Sequence, residues 1–449
     1  MRASRFPTRW GWAATTAPSS CVASRTSVSR PPPPRDPARR AVVTGLGAVT
    51  PIGNDVATFW SNLRAGVSGV APISAFDASD LEVRIAAEVK GFEPRDWMDF
   101  KQARRMSRFA QLAVAAARQA IDASGLQIGD HNRDDIAVVV NTGAGGLQEV
   151  AIGESTMMTK GPDRVSPFMV PMMSPSMAAC QISIQNGIRG PVIASVAACA
   201  ASVQAFVEAQ RLIERGDADV VIAGGAESAI MSVSFAALAN MGALSRRNQD
   251  PERASRPFDA NRDGFVLGEA AGILVVEAAE HAEARGTPIL AEIAGGALTG
   301  DAFHISAPDP SGYGATLAMQ RAVRDAHLEV EQVQYVVAHG TSTALNDATE
   351  TKAIRAAFGS HADRLAVSSN KSMLGHTLGA AGAMSGLAAV LAIRDGVIPP
   401  TINYETADPA CDLDYVPNVA RKAAVEVALV NGFGFGGQNA VTVFQRYLG

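Results

Sequence analysis

The sequence predicts an α/β fold of stacked helical and sheet layers, built as two related halves. Three observations carry this reading. Apolar strand-like runs alternate with helical segments along most of the chain. Two distant stretches share one plan: strand, short loop, reactive side chain and small-residue helix. A content of 47% hydrophobic and 18% charged residues over 449 positions is enough for a large core.

Taken in order, AVVTGLG from Ala41 is an apolar strand breaking into a Gly-rich turn, followed by an amphipathic helix around Val56 to Arg64. Further buried-strand runs are IAVVVN from Ile136, PVIASV from Pro191, ADVVIAG from Ala218, ILVVE from Ile273, VQYVVA from Val333 and LAVSS from Leu365. The repeat pairs VIASVAACAAS from Val192 with AVSSNKSMLGHTLGAAG from Ala366, each running into a helix that ends in a basic residue and glycine. Equivalent loops of two halves are expected to meet at one site. The division falls near residue 295, giving halves 40–295 and 296–449 behind an extension of residues 1–39.

That extension is rich in Arg, Ser and Pro, ends near the Pro31–Pro34 run and has no apolar stretch of secretory-signal length. It reads as a disordered segment, either an organelle transit peptide or a translated upstream region. Residues 1–40 carry eight Arg and one Asp, and subtracting this +7 from the net −5 leaves −12 for the rest. An acidic body argues against general nucleic-acid binding but leaves room for local basic patches, at Arg104, Arg105 and Arg108 or at Arg246 and Arg247, to receive an acidic partner protein. Cysteines at 21, 180, 199 and 411 form no C-x-x-C pair and have no His at metal-ligand spacing, so neither a disulfide framework nor a metal site is expected. No charge-free apolar run of about 20 residues suggests a membrane span. A cytoplasmic location is expected, or a plastid or mitochondrial one if residues 1–39 form a transit peptide.

Cys199 follows a predicted buried strand and precedes a helix beginning near Ala200, a location whose free N–H groups favour a thiolate. Among alanines it also reads as a small core thiol. Two of the seven histidines sharpen the choice. His339 opens HGTST after a strand, and His376 lies in NKSMLGHTLGAAG; both sit at strand-to-loop positions flanked by small residues. His131, His281, His327 and His361 read as surface residues, and His304 as a residue of a channel mouth. Lys371 precedes His376 by five positions, while Asp347 and Glu350 follow the HGTST turn. If buried, these three charges must compensate one another and would hold the histidines neutral or oriented. NGFGFGGQN from Asn431 reads as a flexible Gly-rich loop whose backbone N–H groups, with that of Cys199, form an oxyanion hole. Gly45-Leu-Gly47 lacks the third glycine of a dinucleotide fingerprint, since Thr50 occupies that place, so no nucleotide site is expected.

The motifs ACAAS around Cys199, AHGTSTALND around His339, NKSMLGHTLGAAG and NGFGFGGQN resemble, in order and spacing, the β-ketoacyl-acyl-carrier-protein synthases, closest to type II. The resemblance covers residues 40–449 and extends to GGAE from Gly224, SRPFD from Ser255 and RDGFVLGEAAG from Arg262. It implies a thiolase-like five-layer α-β-α-β-α sandwich of two pseudo-duplicated halves, acting as a homodimer without cofactor. It further implies that Cys199 accepts an acyl chain from acyl carrier protein, and that His339 and His376 stabilise the enolate formed as malonyl-acyl carrier protein loses carbon dioxide. Cys199 and Phe435 supply the oxyanion-hole N–H groups, Phe435 gates the site, and Lys371, Asp347 and Glu350 form a supporting charged network. Ala144 matches an acyl-pocket position often filled by Ile, which implies room for medium or long chains. Departures from the family pattern are Ala200-Ala-Ser for Thr-Ser-Gly, Ala344 for Pro, Ser385 for Glu and Gln438 for Thr. The alternatives are a polyketide ketosynthase, a thiolase, for which Cys411 is misplaced as second cysteine, and a noncatalytic chain-length partner, against which the retained Cys199 argues.

Overall fold

The computed structural model describes residues 39–449. The Arg/Ser/Pro-rich extension, with Cys21 and the proline run, lies outside the described residues apart from Arg39, which pairs with Asp219 and Glu280 at 2.6 Å each.

Ten strands form one sheet order. In the first half they are β1 (Ala41–Val49), β2 (Ile136–Asn141), β3 (Val192–Ile193), β4 (Val220–Glu227) and β5 (Ala270–Ala278). In the second they are β6 (Ala291–Gly300), β7 (Tyr335–Val337), β8 (Ala366–Ser368), β9 (Val427–Gly434) and β10 (Gln438–Gln445). The spatial order β3-β2-β4-β5-β1 is repeated as β8-β7-β9-β10-β6, with parallel and antiparallel pairings at the same places. The fold is therefore a duplication. The halves join where Ala41–Val43 pair antiparallel with Ala291–Ile293. The second set of strands opens at Ala291, so residue 295 lies inside β6.

Helices complete five layers. Helix α1 (Arg108–Ser124) covers β1 and β5 on one outer face, with α2 (Leu147–Lys160), α3 (Met169–Met173) and α4 (Met177–Asn186) on the same side of the molecule. Between the two half-sheets lie α5 (Ala201–Glu214) and, from the second half, α8 (Ala381–Asp395). On the other outer face are α6 (Tyr313–Asp325) and α7 (Ala344–Phe358).

The central layer explains the high Gly and Ala content. A Cβ on Gly382 would stand 2.5 Å from Val203 Cγ2, and one on Gly386 would stand 2.5 Å from the Phe206 ring, so α5 and α8 approach too closely for larger residues. Helix α8 is buried from Ala381 to Ile393. Its apolar stretch Leu378–Asp395 is long enough to cross a membrane, yet 83% of it is covered by protein, as befits a core helix between two sheets.

Candidate active site

The central helices deliver the reactive groups. Cys199 stands in the 3₁₀ turn Ala198–Ala200 that feeds α5, and it is only 6% exposed. The turn opens with Ala198 at φ 44°, a left-handed conformation that costs a non-glycine residue on the order of 1 kcal/mol. His376 precedes the turn Leu378–Ala380 that feeds α8. Its N–H donates to the Val266 carbonyl at 2.6 Å, and its carbonyl accepts from the Gly268 N–H at 3.0 Å. His339 follows β7; its N–H donates to Glu350 Oε1 at 2.7 Å, and its carbonyl accepts from Lys371 Nζ at 2.5 Å.

These three residues, far apart in the chain, meet at one end of a cavity of ≈350 Å³ that Phe433, Phe435 and Thr341 also line. His376 Nε2 lies 3.0 Å from Cys199 Sγ, and the two imidazole centroids are 5.4 Å apart with rings nearly perpendicular. The backbone N–H groups of Cys199 and Phe435 lie near the sulfur and favour its ionised form. NGFGFGGQN is less loop than expected, since most of it belongs to the β9–β10 hairpin. Only Phe435, Gly436 and Gly437 form the turn, the two glycines at φ 79° and 72°. Phe435 is 37% exposed at its tip.

The electrostatics correct one expectation and refine another. A thiolate favoured by the helix N-terminus is not what the site holds at rest. Burial pushes the Cys199 thiol up to about 12, with Glu227 adding to the rise, while Lys371 and the two N–H groups pull it down without prevailing. The free donors of the helix start are outweighed by the desolvation of a sulfur enclosed by residues of both halves. Both histidines are neutral: burial depresses His376 and His339 well below the ordinary imidazole value, and the charge of Lys371 depresses them further. If Nε2 of His376 carries the proton, its buried and unpartnered Nδ1 is left with a lone pair rather than an orphaned N–H.

Lys371, Asp347 and Glu350 are all buried, but Lys371 forms no ion pair with either carboxylate. Asp347 instead faces Arg262 at 3.7 Å and accepts from the N–H groups of Phe258, Thr341 and Ser342. Glu350 accepts from the N–H groups of His339 and Gly340 and from Asn431 Nδ2. The carboxylates thus pin the backbone of the HGTST turn, and burial raises both. Burial also lowers Lys371 to about 8, against the opposing pull of Glu350 and Asp347.

Ala144 occupies the turn after β2, where its N–H donates to Glu227 Oε2 at 3.2 Å; it does not line the cavity around Cys199. His304 is exposed and accepts from the N–H groups of Ser306 and Ala307, which line the cavity mouth while His304 does not. Arg108 is no part of a basic patch, because it turns inward onto Glu269 at 2.7 Å. Arg104 and Arg105 stay outside against Phe100 and Phe168, and Arg246 pairs with Glu82. Ser385 is buried in α8 with its Oγ unpartnered, and Gln438 is exposed at the start of β10. Glu227 was missed as a site residue. Its signal was an acidic residue ending an otherwise apolar strand, in GGAE.

Comparison with known proteins agrees with this geometry. Family models of the β-ketoacyl synthase N-terminal and C-terminal domains match residues 38–282 and 290–405. A Synechocystis protein, 3-oxoacyl-[acyl-carrier-protein] synthase 2, is 50% identical over 409 residues, covering 91% of this chain and 98% of that one. Among solved structures, the ishigamide ketosynthase/chain length factor matches with a TM-score of 0.86 at 36% identity. A type II polyketide ketosynthase in complex with its acyl-carrier protein matches with a TM-score of 0.84 at 33% identity. Each covers 91% of this chain and 100% of its own. Two family models laid across a duplicated fold, and relatives matched over nearly their whole length, place this chain in the β-ketoacyl synthase family.

Proposed function

We propose that the chain is a 3-oxoacyl-[acyl-carrier-protein] synthase that elongates fatty acyl chains by decarboxylative Claisen condensation, with Cys199 as nucleophile and His339 and His376 as enolate stabilisers. The observation that carries this is the 3.0 Å contact of His376 with the Cys199 sulfur beside a second neutral imidazole and two backbone N–H donors. In the first half-reaction the sulfur attacks the acyl thioester carbonyl, the carrier's carbon–sulfur bond breaks, and the proton of Cys199 ends on the departing carrier sulfur, which leaves as the thiol. The two N–H groups receive the tetrahedral oxyanion. In the second, malonyl thioester loses carbon dioxide, and neutral Nε2–H donors of both histidines stabilise the enolate oxygen without any strong base. The enolate carbon then attacks the acyl-cysteine carbonyl, the carbon–sulfur bond breaks and the departing Cys199 sulfur takes up one proton from solvent.

The partner is acyl carrier protein, loaded with acyl or malonyl groups. Arg246 and Arg247 favour its docking near the cavity, since Arg247 approaches Asp263 of the cavity wall at 3.6 Å. A homodimer is supported by apolar residues left exposed on α2, α3, α4 and the outermost strand β3, among them Met158 at 74%, Val170 at 69% and Ile184 at 64%. An unpaired strand edge beside such a patch is a surface that a second copy would cover. The bacterial relative favours a cytoplasmic setting.

The polyketide reading draws on the two ketosynthase structures. Purified enzyme given graded acyl primers and malonyl carrier decides between them. One two-carbon extension per primer with carbon dioxide release is expected; repeated unreduced extension favours the polyketide reading, and no carbon dioxide release contradicts both.

A further inference from the structure

Glu227 ends β4 with no measurable exposure, and no Lys, Arg or His pairs with it among the described residues. Its Oε2 accepts from three backbone N–H groups, Gly143 at 2.6 Å, Ala144 at 3.2 Å and Gly379 at 3.2 Å, and its Oε1 accepts from Thr142 Oγ1 at 3.0 Å. A buried carboxylate without a cation is costly, and an amide oxygen could accept from the three N–H groups at lower desolvation cost, with its NH2 donating to Thr142 Oγ1. Burial raises this carboxyl to about 7 against the pull of its four donors, so at pH 8 the ionised form prevails, and a charge kept there at such cost invites a role.

The donors sit on two turns that touch the nucleophile's own. A Cβ on Gly143 would lie 2.7 Å from Glu227 Oε2 and 3.3 Å from the Ala198 carbonyl, and one on Gly379 would lie 2.1 Å from Gly143 N. Gly379 comes three residues after His376 and opens α8 together with Ala380. We propose that Glu227 is a positioning residue: its carboxylate clamps the Gly143–Ala144 turn to the Gly379 turn, and so holds His376 Nε2 on the Cys199 sulfur. Charge-assisted hydrogen bonds of this kind are roughly twice as strong as neutral ones. The same negative charge acts on the sulfur, where it opposes Lys371 and adds to the rise that burial produces.

This rests on the condensing reaction proposed above, and two variants of the full-length enzyme test it. Glu227→Gln keeps size and one acceptor but removes the charge. It should lower the condensation kcat about tenfold, leave KM for malonyl carrier within about twofold, and still allow acyl-Cys199 to form. Thr142→Val, which keeps the charge and removes the hydroxyl partner, should lower kcat about threefold. Alkylation of Cys199 by iodoacetamide at pH 8 needs no carrier substrate. It should be faster in Glu227→Gln than in the parent, because one of the influences holding the thiol up is gone; since a loosened turn would also bare the sulfur, Thr142→Val, which keeps the charge, should alkylate at the parent's rate. An unchanged kcat in both variants, or alkylation of Glu227→Gln no faster than of the parent, overturns the proposal. A parent enzyme that forms no condensation product defeats the proposed function instead, and the alkylation arm still reads the effect of Glu227 on the sulfur.

Discussion

The turn that carries Cys199 and the turn that carries Gly379 are the same structure used twice. Cys199-Ala-Ala-Ser aligns with Gly379-Ala-Ala-Gly. Each turn opens on a left-handed residue, Ala198 at φ 44° and Leu378 at φ 45°, and each passes into its helix through an alanine, Ala200 at φ −84°, ψ −7° and Ala380 at φ −85°, ψ −11°. The turns touch, and Ser202 Oγ donates to the Gly379 carbonyl. Yet one holds a nucleophile and the other has no side chain. The first turn points its side chain into a cavity, whereas the second is packed against Gly143 and Glu227. Duplication supplied two equivalent helix starts, and packing decided that only one could be reactive. The second half contributes His376 instead, three residues ahead of Gly379.

The sharpest way to break this comparison is at the sulfur. Cys199→Ala should lower condensation by about 10³-fold or more, because nothing at Gly379 can substitute for the nucleophile. Cys199→Gln should also abolish condensation while leaving malonyl decarboxylation intact or raised. His339→Ala removes one of two donors aimed at the enolate and should cost about 10²–10³-fold in decarboxylation, with the acyl-Cys199 adduct still forming on mass analysis.

Gly379→Ala attacks the silent turn. Its Cβ would meet backbone at 2.1 Å, so the variant should lose about 3 kcal/mol or more of stability, visible as a lowered thermal midpoint. A stability equal to the parent would mean that the second turn is not closed to side chains. Ala144→Ile probes the neighbouring turn: because Ala144 stands outside the cavity around Cys199, primer preference should change by no more than about twofold, and a several-fold shift toward shorter primers would show that the acyl chain reaches it. The smallest effect is expected for Ala198→Gly, where relief of strain and added chain entropy nearly cancel, leaving a change within about 0.5 kcal/mol in denaturant unfolding.

Much of this architecture was legible because its signals are local. Val- and Ile-rich runs marked β2, β4, β5 and β7, and the repeated strand-loop-helix plan marked the two central helices. The strand β6 was missed because AEIAGGALTG is dominated by small residues with weak strand preference, and β9 because its glycines read as a loop that ran on into Gln438 and Asn439 of β10. At the site, Cys199, His339 and His376 were legible from their unusual contexts. The partner of Asp347 was not, since Arg262 is far away in sequence. Nor was the protonation of Cys199, because its burial comes from segments that fold around it from the other half. Glu227 escaped because its donors are backbone N–H groups, which carry no residue signature.

Catalysis by Cys199 is tested most directly by which sulfur becomes acylated. Enzyme incubated with acyl-acyl carrier protein and digested for mass spectrometry should carry the acyl mass on the Cys199 peptide alone, and the adduct should vanish when malonyl carrier is added. An adduct on Cys180 or Cys411, or none on any cysteine, would contradict it.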